Sequence, residues 1–337
     1  MATTITSYSD ISQRTSQWAA VEMLAYAEPV LVLNKFGLTK PVPKNKASTI
    51  AFRRPDVYSA ATTALQEGVT PTAQKMSYTD VTCTLRQYGK PIIITDFVND
   101  VCEDPVMRDA SRQAGHQAAL TSEMLTWNVI KAGSNAIFAN GSQRTDVNTP
   151  ISLNRLRGAV RSLMSQKAMK HRSMLSPSTD YGTKGIEACF IAVAHTDCAA
   201  DIRDLPGFVP TVDYGSRQLL CPEEIGAVED VRFVLSPELT AFADGGGTKA
   251  GSGTTMVSTT GTSADVYPIL VFGAEAYGIV PLKGAGSITP MVVNPKPSAA
   301  DPLAQRGFVS WKIYHAAVIL NQNWIERIEV AVTDIDG

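Results

Sequence analysis

His195-Thr196-Asp197-Cys198 sets an imidazole, a carboxylate and a thiol within four residues, the groups that a thiol nucleophile and its base require. Thr196 to Cys198 also read as the start of a short helix to about Leu205, capped by Thr196. An acid in that first turn simply favours the positive end of the helix dipole. The helix reading is preferred, because a working dyad needs partners that the fold brings together. Asp96, Asp100, Glu103 and Asp104 form an acidic cluster between a strand and a long helix. Four carboxylates could supply oxygens to a hard cation, but the glycine and terminal glutamate of a calcium loop are missing. The cluster reads instead as helix-start acids that could also meet another subunit.

Gly245-Gly246-Gly247-Thr248-Lys249 resembles a phosphate loop only superficially, since Ala250 follows the lysine and no helical pattern comes after it. Gly284-Ala285-Gly286 lacks the third glycine and the helix of a dinucleotide fingerprint. No G-x-S-x-G occurs. The five cysteines (Cys83, Cys102, Cys189, Cys198, Cys221) are odd in number, and none are paired at C-x-x-C spacing. They read as small buried apolar side chains, and with four scattered histidines no metal or other cofactor is expected.

The most unusual surface signal is basic. From Val147 to Thr179 there is no Asp or Glu, but there are Arg155, Arg157, Arg161, Lys167, Lys170, His171 and Arg172. Such a stretch could face phosphates without reading bases. With no interleaved aromatics for stacking, a solvated helix face, or one paired with acids of a neighbouring subunit, is the preferred reading. The whole chain of 337 residues carries a net charge of -2, unlike a dedicated nucleic-acid binder. It is 44% hydrophobic, enough for one large core or two smaller ones. No apolar run is long enough to span a membrane and no secretory signal opens the chain, so folding in a cytoplasm is expected.

The elements that must position these residues fall into a clear order. Residues 1–47 read as an arm, helical over Trp18 to Leu33 and punctuated by Pro41-Val42-Pro43, too poor in apolar surface to fold alone. Residues 48–98 read as a long two-stranded excursion: Ile50 and Phe52, then Val81, Cys83 and Leu85, alternate with polar residues. The polar connection from Val57 to Lys75 far exceeds a normal hairpin loop. Asp104-Pro105 predicts a helix start, and the helix can run to about Ala132, a rod of about 42 Å. Its stripe is Ala110, Ala114, Ala118, Thr121, Leu125, Val129 and Ala132, small enough at first for close packing, and Leu120, Met124 and Trp127 broaden the apolar face towards the C-terminal half.

A second helix follows Ser152, with Leu153, Leu156, Val160 and Leu163 on one side. Strands are predicted at Ala188–Ala194, Val231–Leu235 and Val266–Phe272. Asp244 to Asp265, with six glycines and nine Ser/Thr, reads as a mobile surface loop. Phe308–Leu320 and Trp324–Val332 read as a closing buried hairpin.

That order of parts resembles the major capsid proteins of tailed bacteriophages, an α+β fold of the Hong-Kong-ninety-seven type. Phe52-Arg53-Arg54-Pro55, Glu67-Gly68-Val69-Thr70-Pro71, Tyr88-Gly89, Ile94-Thr95-Asp96 and Glu103-Asp104-Pro105 are similar to the capsid family of the N-four-like podophages. So are Ala139-Asn140-Gly141, Glu224-Ile225-Gly226, Asp301-Pro302-Leu303, Gln305-Arg306-Gly307 and Ala317 to Asn321. The resemblance runs from about residue 30 to the C-terminus. It implies an N-terminal arm (1–47), an extended hairpin loop overlapping a neighbour (48–98) and a peripheral domain with its spine helix (99–184). An axial domain (185–300) carries the 244–265 loop, and C-terminal strands (301–337) complete the peripheral domain.

The function implied is a structural shell protein, not an enzyme, that assembles into hexamers and pentamers around double-stranded DNA. Arg53, Arg54, Glu67, Asp96, Asp100 and Glu103 become candidates for inter-subunit contact, and the basic stretch a possible face towards non-specifically held DNA. Further partners implied are a portal protein, a decoration protein and a separate scaffolding protein, since the arm is too short to be a fused scaffold. Lys75 is the lysine that a cross-linking relative would use. The expected location is the virion shell, made in a bacterial cytoplasm. An encapsulin-type nanocompartment shares the fold, and an α/β enzyme is the alternative of another class.

Overall fold

The computed structural model describes residues 31–45, 47–101, 105–175, 183–215, 217–251, 254–282, 289–293, 297 and 302–335. The helix predicted at Trp18–Leu33 lies outside these but for its last residues, as do Cys102, Glu103 and Asp104. Val32 and Leu33 are buried and lead into a 3-10 turn, Leu33–Lys35. β1 (Leu38–Thr39), β2 (Thr49–Pro55), β3 (Tyr78–Thr84) and β4 (Arg86–Thr95) follow. Then come α1 (Asp96–Val101), the long α2 (Val106–Lys131), β5 (Ala136–Phe138) and α3 (Leu153–Ser165). β6 (His171–Leu175) and β7 (Thr183–Ala194) precede α4 (Ala199–Arg203), β8 (Phe208–Pro210), β9 (Glu224–Val228) and β10 (Val231–Leu235). The short β11 (Ala250–Gly251) and β12 (Thr254–Thr255) lead to β13 (Tyr267–Phe272), β14 (Tyr277–Ile279) and β15 (Thr289–Val293). β16 (Arg306–His315), β17 (Ala317–Ile319) and β18 (Ile325–Val330) close the chain.

The largest sheet runs β5-β18-β13-β7-β10-β9-β8, with β6 paired to β7. Because neighbouring side chains of a strand point to opposite faces, β7 sends Phe190, Ala192 and Ala194 one way and Ile191 and Val193 the other. Both faces are covered, which is why its strands read as continuous apolar runs. α3 covers the first face with Leu156, Ala159 and Leu163. The far end of α2 covers the second with Trp127 and Ile130, helped by Val32, Leu33 and Phe36.

A three-stranded sheet, β15-β16-β4, packs on the near half of α2. β4 pairs with β16 over its whole length, from Arg86↔His315 to Thr95↔Arg306. Ala110, Ala114 and Ala118 let the sheet approach closely, and Val309, Trp311 and Ile313 fill the contact. The indole Nε1 of Trp311 donates to Gln117 Oε1 at 3.0 Å. Farther along, the buried face of α2 rotates to Ser122, Glu123, Thr126, Trp127 and Ile130. Leu125 and Val129 are half-buried and Ala132 exposed. The predicted stripe was therefore right in its first half and displaced in its second, where Thr126 and Ser122 turn inward to His315.

Two further expectations are corrected. The closing strands form no hairpin: β16 pairs with β4 and β15, β17 with β14, and β18 with β13 and β5. β5 and β6 join the large sheet, and α3 packs on it. β18 joins it too, so the C-terminal strands divide between both lobes.

The Asp244–Asp265 segment is pinned rather than loose. Phe242 bridges Val266, Thr248 bridges Ser263, and Met256 and Ala264 are buried with Val147 and Ala331. Asp265 Oδ1 accepts the amide of Asp244, while Asp244 Oδ1 accepts the amide and hydroxyl of Thr260. Its glycines serve close approach: a Cβ on Gly246 would lie 2.3 Å from the carbonyl oxygen of Val147.

Candidate assembly surface

β2 and β3 form an antiparallel ribbon in register from Thr49↔Thr84 to Pro55↔Tyr78. The predicted alternation is what anchors it: Phe52 and Cys83 are buried against Val42 and Val280, with Ile50 and Leu85 beside them. Beyond the ribbon every residue from Val57 to Ser77 is exposed. That stretch includes apolar side chains with no cover, Val57 at 86% and Leu65 at 78% of full exposure. Arg53 lies directly across from Asp80, and its Nε and Nη2 each donate to a carboxylate oxygen at 2.8 Å. This hydrogen bonding holds Asp80 below the usual carboxylate range. Arg54 forms no ion pair among the described residues, and Glu67 sits in the exposed stretch.

The three-stranded sheet has a second apolar surface. Its inner side packs on α2, but on the outer side Val293, Phe308 and Ile93 stand in one cross-strand row, by the pairings Val293↔Phe308 and Phe308↔Ile93. Ile93 is 61% exposed and Val293 49%. α1, which continues from β4, leaves Phe97 70% exposed, with Val98 and Val101 also bare. Asp96 accepts the amide of Phe97 at 2.8 Å on its own side chain, and Asp100 is exposed on the same helix. Glu103 lies outside the described residues.

The basic stretch is not brought to one uncompensated face. Arg157 pairs with Glu229 and Lys170 with Asp230, the two acids of the β9–β10 turn, and Arg155 donates to the carbonyl of Ala139. Arg161, Lys167 and Arg172 are exposed and form no ion pair among the described residues. The acids expected from a neighbour are in part supplied by the chain itself, through a turn 60 to 72 residues away in sequence.

His195 is a cap. Its Nδ1 accepts the amide of Asp197 at 3.1 Å, and its Nε2 lies 2.9 Å from the carbonyl of Pro237. His195, not Thr196, therefore caps the turn, and the Nε2–H tautomer satisfies both contacts. Asp197 is taken by the hydroxyl of Tyr267 at 2.7 Å, and Cys198 is buried in the core, where desolvation pushes its thiol pKa up. The three groups do not converge. Among the described residues no three His, Cys, Asp or Glu side chains gather as a metal set, and no helix is long and apolar enough to cross a membrane.

Two arrangements escaped the sequence. Glu329, fully buried, takes both Nε and Nη2 of Arg144 at 2.8 Å, while Arg327 donates to the carbonyl of Gly133 at 2.7 Å at the end of α2. Glu123, on α2, is enclosed completely. Both acids lie in segments that read as amphipathic, where an acid is normally placed on the wet side.

Comparison with known proteins bears on these surfaces. A family model described as phage capsid protein matches residues 78–328. The major capsid protein of Pseudomonas phage KPP21 is 21% identical over 203 residues, which are 57% of this chain and 51% of that protein. The chain thus spans about half the length of the curated relative it matches. Among solved structures, the capsid of Ralstonia phage GP4 is similar with a TM-score of 0.65 at 10% identity, over 89% of this chain and 88% of that one. The capsid of cyanophage Pam1 gives 0.58 at 14% identity, over 91% and 92%. The head of Helicobacter pylori bacteriophage KHP40 gives 0.57 at 9%, over 87% of each. These likenesses show the fold, mixed helix and sheet with a long helix laid across a narrow sheet.

Proposed function

The chain belongs to the phage capsid protein family, and from that premise we propose that it is the major capsid protein of a tailed bacteriophage, assembling with copies of itself into a closed icosahedral shell. One observation carries this reading beyond the family match. Among the described residues the chain leaves exposed apolar side chains on two surfaces, Val57, Leu65, Val69 and Met76 within the otherwise polar 57–77 stretch, and the outer row Val293–Phe308–Ile93 with α1. Exposed apolar patches of this kind mark contact with another protein. Two different surfaces meeting between copies make a heterologous contact, which repeats into rings when the rotation closes. Hexamers and pentamers of the shell are such rings.

The finer parts rest on the resemblance and the charge pattern. Arg54 and Glu67 are inter-subunit contacts of the extended loop, and Asp96 and Asp100 are contacts of α1. Arg161, Lys167 and Arg172, which form no ion pair among the described residues, face packaged DNA and hold it without sequence preference. A separate scaffolding protein guides assembly, a portal occupies one vertex, and a decoration protein is a further partner. The mature protein resides in the virion shell after synthesis in a bacterial cytoplasm.

Electron microscopy of the purified chain, produced with and without its scaffolding protein, tests the reading. Closed shells of uniform size, large enough for a phage genome, are expected. A single 36.1 kDa monomer under both conditions would overturn it.

A further inference from the structure

The turn through which residues 1–30 join the body is fastened by buried polar groups rather than by apolar packing alone. Glu123 Oε1 accepts the amide of Leu33 at 2.8 Å and that of Val32 at 3.3 Å. Its other oxygen, Oε2, is buried and has no hydrogen-bond partner among the described residues. Around this carboxyl, Asn34 Nδ2 donates to Ser122 Oγ at 3.2 Å, and the hydroxyl of Tyr277 donates to the carbonyl of Leu33 at 2.6 Å. Lys35 Nζ reaches both oxygens of Glu223 at 2.9 Å. Four residues thus tie α2, β14 and the loop before β9 to one another.

A neutral carboxyl tolerates an enclosed, unpartnered oxygen far better than a carboxylate does. We propose that Glu123 is a protonation-controlled latch on the N-terminal arm, whose neutral form holds the 32–35 turn against α2 and whose ionised form loosens it. Burial pushes the carboxyl from 4.5 up to about 7, opposed by the two amide donors and Lys35 and assisted by Glu223. Since the docked form has the raised value, the latch is at full strength below about 4.5 and is lost as pH rises through about 7.

Among the described residues, the charged and titratable groups around Glu123 are Lys35 of the turn, Glu223 before β9, Tyr277 of β14 and His315 of β16. His315 is held neutral by burial, its pKa lowered to about 4, and Tyr277 is pushed upward. Neither therefore changes charge between pH 5 and 8.

Backbone hydrogen–deuterium exchange of residues 32–36 in the full chain tests this, measured at pH 5 and pH 8 and corrected for intrinsic exchange. Protection of the turn should fall on the order of a hundredfold over that range, while β7 stays constant. In Glu123→Gln the fall should vanish. A parent with level protection, or a Glu123→Gln chain that keeps the fall, overturns the proposal. Should Glu123→Gln not fold, Tyr277→Phe decides. Loss of its hydroxyl should loosen the turn equally at both pH values and preserve the fall, and a fall abolished there would assign the effect elsewhere.

Discussion

Successive residues of β2 point to opposite faces, so Arg53 and Arg54 meet different surroundings. Arg53 faces Asp80 across the ribbon, whereas Arg54 shares the face of Phe52 and lies beside a groove lined by Gln166, Lys167, Asn321 and Trp324. Exposed ion pairs contribute little to folding, so neither Arg53→Ala nor Arg54→Ala should shift the melting midpoint of the isolated subunit. Shells are a different matter. Arg54→Ala should make them fall apart at lower salt, and Arg53→Ala should do so less, its charge being spent within the ribbon. Light scattering of shells across a salt series reads both, and Arg54→Ala shells as salt-tolerant as the parent would remove Arg54 from the interface.

Residue chemistry was legible where it depended on near neighbours: the thiol of Cys198 reads as core and proves so. It was illegible where the partner came from afar. Nothing near His195 in sequence announces the Pro237 carbonyl that completes its role as a cap, and nothing near Arg157 announces Glu229.

Periodicity gave the elements well. Alternation in 48–56 and 81–85 set which face of the ribbon is buried, and the Pro105 signal set the start of α2 within a residue. Composition misled in one place, because glycine and threonine were read as looseness in Asp244–Asp265. Two buried apolar residues and a pair of aspartates suffice to pin that segment, the apolar pair packing on Val147 and Ala331, which lie far outside it. Removing about 15 residues there should therefore cost stability rather than pass unnoticed. Met256→Ala alone, at 3% exposure, should lower the unfolding free energy by about 2–5 kcal/mol, as read by denaturant titration. An unchanged midpoint would show that the segment carries no core.

At the scale of the molecule, the sheets interleave pieces that lie far apart in the chain. β16 and β18 are separated by only the short β17 and a turn, yet one completes the narrow sheet on α2 and the other the large sheet. Pairing over more than 200 residues, as in Arg86↔His315, leaves no local trace for a reader of the sequence. The exposed 57–77 stretch was legible in its length, but the outer row of the narrow sheet was not. β4 and β16 alternate buried and exposed positions, and an apolar residue at an exposed position looks like any core residue until its strand partners are known.

That outer row offers the most direct test of the claim that this chain is built to be covered by its own copies. Ile93→Asp with Phe308→Asp places charge on the bare face without entering the contact with α2. Sedimentation velocity of this double variant, beside the parent and with the same scaffolding protein, should show folded subunits and no shells. Shells formed as readily as the parent's would contradict the account, because a face buried between copies cannot accept two unpaired carboxylates at no cost.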